Sequence, residues 1–237
     1  MIKDYIGNRM KHNYENRSRF YLTRRTPVIM RLDGRAFHTF TRNAQKPYDE
    51  LFSKCMNFTA LFLCSEIQGA KCAYIQSDEI SILITDFDKL TTEAWFDYNI
   101  QKMTSISAGL ASVYFFKDIG SPIDFRKEIS LPVFDSRVFN LPKEEVCNYF
   151  IWRQIDWVRN SLQMLAQSNF SHKELQNKNS QDLHEMLYAK NINWANLEPK
   201  WKNGTFYYKA DNGWFDLDYS VIFKNDRNRI ERYLVGE

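Results

Sequence analysis

The sequence predicts an α+β fold: a ferredoxin-like βαββαβ sheet with flanking helices, followed by a helical C-terminal extension. Three observations carry this. Short apolar and β-branched runs, Pro27-Val28-Ile29-Met30 and Ile80-Ser81-Ile82-Leu83-Ile84, read as buried strands. After the second, apolar residues recur at helical spacing, as in Trp95, Ile100, Met103, Ile106, Leu110 and Val113. The resulting order, strand, helix, strand, strand, helix, strand, is that of the split βαβ unit.

Taken in order, residues 3–18 are expected as a helix, with Ile6, Met10 and Tyr14 four apart on one side. A strand at 27–33 precedes a helix at 48–68, whose first turn places Asp49 and Glu50 at its positive end. Strands at 71–77 and 79–86 form a hairpin with Asp78-Glu79 in its tight turn. A helix at 93–118 leads to a strand at 132–140, weakened at its start by Pro132 and Asp135. Pro142 suits the first turn of a helix over 142–168. Ser171 and Glu174 form a capping box that opens a helix over 171–190. Glu198-Pro199 and Asn203-Gly204 mark turns, and a short hairpin at 204–223 and a charged segment finish the chain. With no repeat or long linker, the expected organisation is a catalytic domain at 1–141, led by a basic helix, and an extension at 142–237 packed on the same unit.

The 237 residues are 44% hydrophobic and 16% aromatic, ample for one sizeable core. A net charge of +3 does not by itself demand nucleic acid. Its distribution is uneven: Arg9, Lys11, Arg17, Arg19, Arg24, Arg25, Arg31 and Arg35 crowd the first 35 residues. They suit either a solvated face or contact with a phosphate backbone. Cys55, Cys64, Cys72 and Cys147 lack CxxC spacing and read as reduced core thiols, as expected of a cytoplasmic protein. The charged N-terminus argues against a signal peptide, and no apolar run approaches the roughly 20 residues of a membrane span.

The most informative feature is a pair of acidic motifs, Arg31-Leu32-Asp33-Gly34-Arg35-Ala36-Phe37-His38 and Gln76-Ser77-Asp78-Glu79-Ile80-Ser81. The expected topology sets strand one beside the hairpin, so Asp33 and Asp78 can meet at one edge of the sheet. Carboxylates gathered at strand ends are costly without a cation. They suggest Mg²⁺, which takes a few hard oxygens plus phosphate oxygens, and hence nucleotidyl or phosphoryl transfer. Gly34 permits close approach of a ligand, and the backbone N–H groups of Ala36, Phe37 and His38 can form an anion nest. His38 beside that nest and Lys46 are candidate phosphate contacts. There is no GxxxxGK[ST] or GxGxxG. Trp152, Asp156 and Asn160 lie four apart on one helix face, flanked by Arg153 and Arg159, and form either an RNA or nucleotide groove or a surface with intrahelical pairs.

These motifs, with Trp152-Arg153-Gln154 and Lys46-Pro47-Tyr48-Asp49-Glu50, resemble the tRNA(His) guanylyltransferase family over residues 5 to 210. The resemblance implies a polymerase-like palm that adds nucleotides to the 5′ end of tRNA in the 3′-to-5′ direction, with two Mg²⁺ ions and GTP and ATP as substrates. It implies metal binding by Asp33, the Gly34 carbonyl and Asp78, support or catalysis by Glu79, and nucleotide binding by Gly34, Arg35, Ala36, Phe37, His38, Lys46 and Ser77. Arg19, Arg24, Arg25, Arg153, Arg159 and Asn160 are the expected RNA contacts, and a homo-oligomer, tetrameric in the family, is implied. Where eukaryotic members carry His-Ile-Asn-Asn-Leu-Tyr-Asn, this chain reads Val158 to Met164 and keeps only Asn160 and Leu162. That departure resembles the bacterial and archaeal branch, which repairs truncated tRNA 5′ ends using a template strand. The alternatives are a strict guanylyltransferase adding one G, and a nucleotide cyclase-like palm enzyme. A ferredoxin-like RNA-binding module fits less well, since the Lys/Arg-Gly-Phe-x-Phe strand signature is absent.

Overall fold

The computed structural model describes residues 5–119 and 131–236. Helix α1 (Tyr5–Asn13) and a 3₁₀ turn (Glu15–Ser18) lead into strand β1 (Val28–Gly34). A one-turn helix α2 (Phe37–Phe40), helix α3 (Glu50–Glu66), strands β2 (Ala70–Gln76) and β3 (Glu79–Ile84), helix α4 (Ile100–Ile119) and strand β4 (Phe134–Asn140) complete the βαββαβ unit. Then come α5 (Lys143–Gln167), α6 (His172–Leu175), α7 (Ser180–Ala189), α8 (Pro199–Asn203), β5 (Thr205–Lys209), β6 (Phe215–Asp218) and α9 (Asn228–Glu231).

The six strands form one antiparallel sheet in the order β4-β1-β3-β2-β5-β6. Alternation along each strand feeds two cores. Val28, Met30 and Leu32 face α3 and α4, where Met56, Leu63, Met103 and Phe115 are buried. Ile29, Tyr74 and Leu83 face α5, against Val146, Phe150, Phe206 and Phe223. Covering both faces accounts for the near-continuous apolar runs of β1 and β3. Helix α3 starts where Asp49 caps it, its carboxylate accepting from the Phe52 N–H at 2.8 Å.

The fold class is as the sequence predicts, with four local corrections. The first helix ends at Asn13, buries none of its residues and leaves Ile6, Met10 and Tyr14 exposed; its predicted start at residue 3 lies outside the described residues. The helix expected from 93 begins only at Ile100, because Asn99 accepts from the Lys102 N–H at 3.0 Å and caps it there. Before it, Trp95–Tyr98 forms a 3₁₀ turn with Phe96, Asp97 and Tyr98 at positive φ. The helix expected over 171–190 breaks, because Asn177 takes a left-handed conformation and Asn179 with Asp182 makes a second capping box. The hairpin expected at 204–223 is β5 and β6; β5 pairs with β2 and extends the main sheet. Gln154 on α5 fastens this addition. Its amide donates to the carbonyls of Asn203 and Val221 at 3.0 and 2.9 Å and accepts from the Phe223 N–H at 2.9 Å. No helix among the described residues is long and apolar enough to cross a membrane. The four cysteines are free and buried.

Candidate active site

The register of the sheet gathers the carboxylates. Asp33 pairs with Glu79 on one side and Asp135 on the other. One residue on, the Gly34 N–H donates to the Asp78 carbonyl at 3.0 Å and ties the end of β1 to the β2–β3 turn. Ser77 makes that turn at φ +48°. Burial, then the charges of Asp78, Glu79 and Asp135, push the Asp33 carboxyl up to about 6. Asp78 is also raised, chiefly by burial, against hydrogen bonds from its own backbone and Ser77. Nearby His38 favours the ionised form of Asp78.

Glu79 is neutralised by a buried arginine. Arg153 donates from Nε and Nη2 to its two oxygens, and the Ser81 hydroxyl adds a third bond at 3.2 Å. Ser81 in turn lies 2.8 Å from the Tyr149 hydroxyl.

Beside the acids lies a cleft of about 300 Å³ that brings together Gly34, Ala36, Phe37, His38, Lys46, Ser77 and Asp78. Ala36 sits at φ +55°, which turns the chain from β1 into α2. Gly34 is fixed by packing, since a Cβ there would lie 2.5 Å from the Phe37 ring. Lys46 donates to the Thr41 carbonyl at 3.1 Å, holding the loop that forms one wall. Arg35 is not among the lining residues; its N–H donates to the Val133 carbonyl at 2.8 Å and its side chain is exposed.

The residues expected to contact RNA have partners within the protein. Arg153 is buried and committed to Glu79 and Asp156, so the expectation that it meets RNA is corrected. Asp156 also takes Arg159 and, at 3.4 Å, Asn160, as the intrahelical-pair reading of this face requires. Arg24 bridges Asp86, Asp97 and the Thr92 carbonyl, and the Arg25 N–H donates to Asp86 at 2.8 Å. Both belong to a bracket that holds the segment before β1. Arg19 pairs with Glu15 on the exposed N-terminal turn.

The acid corner fits a Mg²⁺ ion. Asp33 and Asp78 are held near each other at a raised pKa, and the buried Arg153 nearby is spent on Glu79. Among the described residues no group of three or more His, Cys, Asp or Glu forms a protein metal cage. Magnesium asks for less, one or two carboxylates completed by substrate phosphate oxygens and water. Sequence reasoning missed two residues here. Asp135 enters by its register with Asp33, and Arg137 pairs with it at 2.9 Å. Alternation along 132–140 would have found Asp135 on the face of Asp33 had that strand been aligned.

Comparison with known proteins gives a consistent set of matches. Residues 7–142 match the family model described as tRNAHis guanylyltransferase. A bacterial tRNA(His) guanylyltransferase-like protein in complex with ATP superimposes with a TM-score of 0.90 at 42% identity, covering 98% of this chain and 100% of that one. A similar bacterial protein in complex with GTP gives 0.84 at 40% identity, covering 98% and 99%. Among curated sequences, an uncharacterised protein of Acanthamoeba polyphaga mimivirus is 30% identical, over 85% of this chain and 76% of its own length. The tRNA(His) guanylyltransferase of Debaryomyces hansenii is 29% identical, over 87% and 82%.

Proposed function

The chain belongs to the tRNA(His) guanylyltransferase family, and from that premise we propose that it extends the 5′ end of tRNA in the 3′-to-5′ direction, selecting each nucleotide by pairing with the opposing template strand. It is a nucleotidyltransferase acting in tRNA processing, and its chemistry is nucleotidyl transfer. The observation that carries the reading is the acid corner of Asp33 and Asp78 opening onto the cleft of Gly34 to His38, Lys46 and Ser77.

In the reaction the 3′-hydroxyl oxygen of the incoming nucleotide bonds to the activated 5′ phosphorus of the RNA. The bond to the leaving group, pyrophosphate from a triphosphate end or AMP from an adenylated one, breaks. Asp33, Asp78 and the Gly34 carbonyl would hold two Mg²⁺ ions, which lower the pKa of the attacking hydroxyl and offset charge on the leaving phosphate. The protein's part is positioning and charge. The turn at Ala36 presents the N–H groups of residues 36–38 to a phosphate chain; His38, Ser77 and Lys46 flank it; Arg35 reaches it from the exposed rim. Glu79, neutralised by Arg153, holds the strand end rather than sharing the ion. The N-terminal cationic segment with Arg19, and Arg159 on α5, would track the RNA backbone. The reading extends to a cytoplasmic homo-oligomer, tetrameric as its resemblance implies.

Template direction, rather than strict G addition, is favoured by the state of Val158 to Met164. Ser161 is buried, its hydroxyl surrounded by Tyr48 Oη at 2.9 Å, Trp194 Nε1 at 3.0 Å and the Trp201 carbonyl at 2.5 Å. Leu162 lies in the small core with Leu183 and Leu187. Among the described residues only Met164 of this stretch lines the cleft. A thioether supplies no hydrogen-bond pattern to single out guanine. Incubation with a tRNA lacking its 5′ nucleotide, all four NTPs and Mg²⁺, read by 5′-end sequencing, tests the activity. Restoration of the missing nucleotide is expected, and an unchanged 5′ end would contradict it.

A further inference from the structure

Backbone strain gathers where the segment before β1 meets the segment before α4. Phe96, Asp97 and Tyr98 are three consecutive non-glycine residues at φ +51°, +51° and +57°. L residues adopt such a left-handed run only at a cost, and the surrounding structure must hold it. Here it is held firmly. Tyr98 is buried, and its carbonyl accepts from the Leu22 N–H at 3.0 Å. The Asn99 N–H closes the turn on the Phe96 carbonyl at 3.0 Å. Arg24 grips Asp97 at 3.0 Å and the Thr92 carbonyl at 3.1 Å.

What this strain presents is an aromatic ring. Trp95 and Tyr98 are buried, whereas Phe96 between them is 40% exposed. Its ring leans on Trp95, with centroids 4.5 Å apart, and the Lys102 ammonium lies 5.8 Å from its centre. Two more rings leave the same junction. Tyr21 bridges to Asn99, and the Phe20 carbonyl accepts from the Ile100 N–H at 3.0 Å. These two residues are 51% and 65% exposed. Exposed apolar groups gathered in this way mark an interaction surface. Positive charge flanks the rings, with Arg17 and Arg19 just before Phe20 and Lys102 over Phe96. The acids of the two turns, Glu15 and Asp97, are paired with Arg19 and Arg24.

We propose that Phe20, Tyr21 and Phe96 form a stacking platform for unpaired nucleotides of the RNA substrate, with Arg17, Arg19 and Lys102 meeting their phosphates. Exposed rings beside cations suit single-stranded RNA, whose bases stack on aromatic faces while its backbone needs positive charge. Every base has such a face, so the platform tolerates any sequence, in keeping with template-directed addition on more than one tRNA. A second copy of the chain suits this face less, because a two-fold contact sets a patch against itself, cation facing cation. The junction lies at the opposite end of β1 from Asp33, about 20 Å along the strand. The bases it holds are therefore away from the reacting 5′ end. The inference rests on the reading of this chain as an enzyme acting on RNA.

The test uses the full chain with three substitutions. Phe96→Asn removes the ring but tolerates the left-handed backbone, Phe96→Tyr keeps the ring, and Phe20→Ser removes a second ring outside the strained turn. Thermal midpoints establish that each is folded, and Phe20→Ser carries the test should Phe96→Asn unfold. Binding is then titrated for a short unstructured RNA, the same strand made abasic, a blunt RNA hairpin, and GTP with Mg²⁺. Expected for Phe96→Asn and Phe20→Ser is about tenfold weaker binding of the base-bearing strand, the loss of one stacked base. The abasic strand, the blunt hairpin and GTP should bind as before, and Phe96→Tyr should match wild type. Unchanged binding of the base-bearing strand in both ring-removing variants, or none by wild type, overturns the inference. An equal loss for the abasic strand overturns it too, since charge alone then holds the RNA. A lower solution mass in these variants than in wild type assigns the rings to contact between copies and overturns it as well. If wild type binds the strand through Phe96 yet adds no nucleotide to any truncated tRNA, the polymerase reading falls and this inference stands.

Discussion

Arg153 on α5 closes its Nε and Nη2 on the two carboxylate oxygens of Glu79 at 2.8 and 2.7 Å, one strand away from Asp33. Its guanidinium also lies 4.5 Å from the centre of the Trp152 ring. The planar fork can make this bidentate contact where a lysine cannot. The pair joins the long helix to the strand end that carries the acid corner, and among the described residues Asp33 and Asp78 have no buried cation of their own.

Replacing Arg153 by Met strands a buried carboxylate, and the expected loss is about 3–5 kcal/mol of unfolding free energy. Adding Glu79→Leu removes that orphan, so the double variant is expected to recover most of the loss. Urea titration of the four proteins measures the coupling. Additive losses would mean that the two side chains do not act as a pair.

Asp33→Asn and Asp78→Asn are each expected to reduce nucleotide addition well beyond tenfold, more than about 1.4 kcal/mol of barrier. The same change should stabilise metal-free protein. The Asp33 carboxyl titrates near 6 against an ordinary 3.8, so the folded state holds the proton more tightly than the unfolded chain. That stabilisation is complete below pH 3.8 and is lost as pH rises through 6. Asp33→Asn should therefore gain stability over wild type above pH 6 in EDTA, and the gain should vanish in acid. Because the carboxylate is half-exposed, about 1 kcal/mol is expected rather than the full linkage value. A variant less stable than wild type at pH 8 would contradict the crowding of charge at this corner.

Gly34→Ala probes the close approach of β1 to the Phe37 ring. The added methyl meets that ring at 2.5 Å, and Phe37 is packed among Phe40, Phe52, Phe115 and Phe134. Overpacking of this kind costs about 1–3 kcal/mol. Since Phe37 also lines the cleft, NTP affinity should fall with it. Wild-type stability and affinity in this variant would show that the ring yields freely.

The basic N-terminal residues should separate into two groups. Arg24→Ala leaves Asp86, whose side chain is fully buried, without its cation, and is expected to lower stability by about 2 kcal/mol with little effect on the salt dependence of tRNA binding. Arg19→Ala should flatten that dependence by about one unit of log-log slope, that of one lost phosphate contact. An unchanged slope would assign Arg19 to a solvated face.

Much of this molecule was legible in its sequence because the strands are buried on both faces. Continuous apolar runs located β1 and β3, and the acidic motifs at their ends located the corner. Register was not legible: a strand with Pro132 before it and Asp135 within it gives a weak alternation, so the pairing of Asp33 with Asp135 was missed. Arg153 looked like a surface cation because its neighbours Trp152, Asp156 and Arg159 are spaced as an exposed face; that Glu79 waits beneath it depends on α5 crossing the sheet, which periodicity does not encode. The break at Asn177 was hidden by local chemistry, since a second capping box overrides the helical stripe around it.

The most direct test of the central claim is nucleotide choice on a set of truncated tRNAs that differ only in the base facing the missing 5′ residue. Each is incubated with all four NTPs and Mg²⁺ and sequenced at its 5′ end. With Met164 the one residue of Val158 to Met164 that reaches the cleft, the site has little with which to fix guanine, and a mispaired base forfeits hydrogen bonds that the protein does not replace. Addition should follow the facing base, giving A, C, G or U in turn, and should occur on more than one tRNA. Addition of G whatever the facing base, and only to tRNA(His), would contradict template-directed repair and make this chain a strict guanylyltransferase.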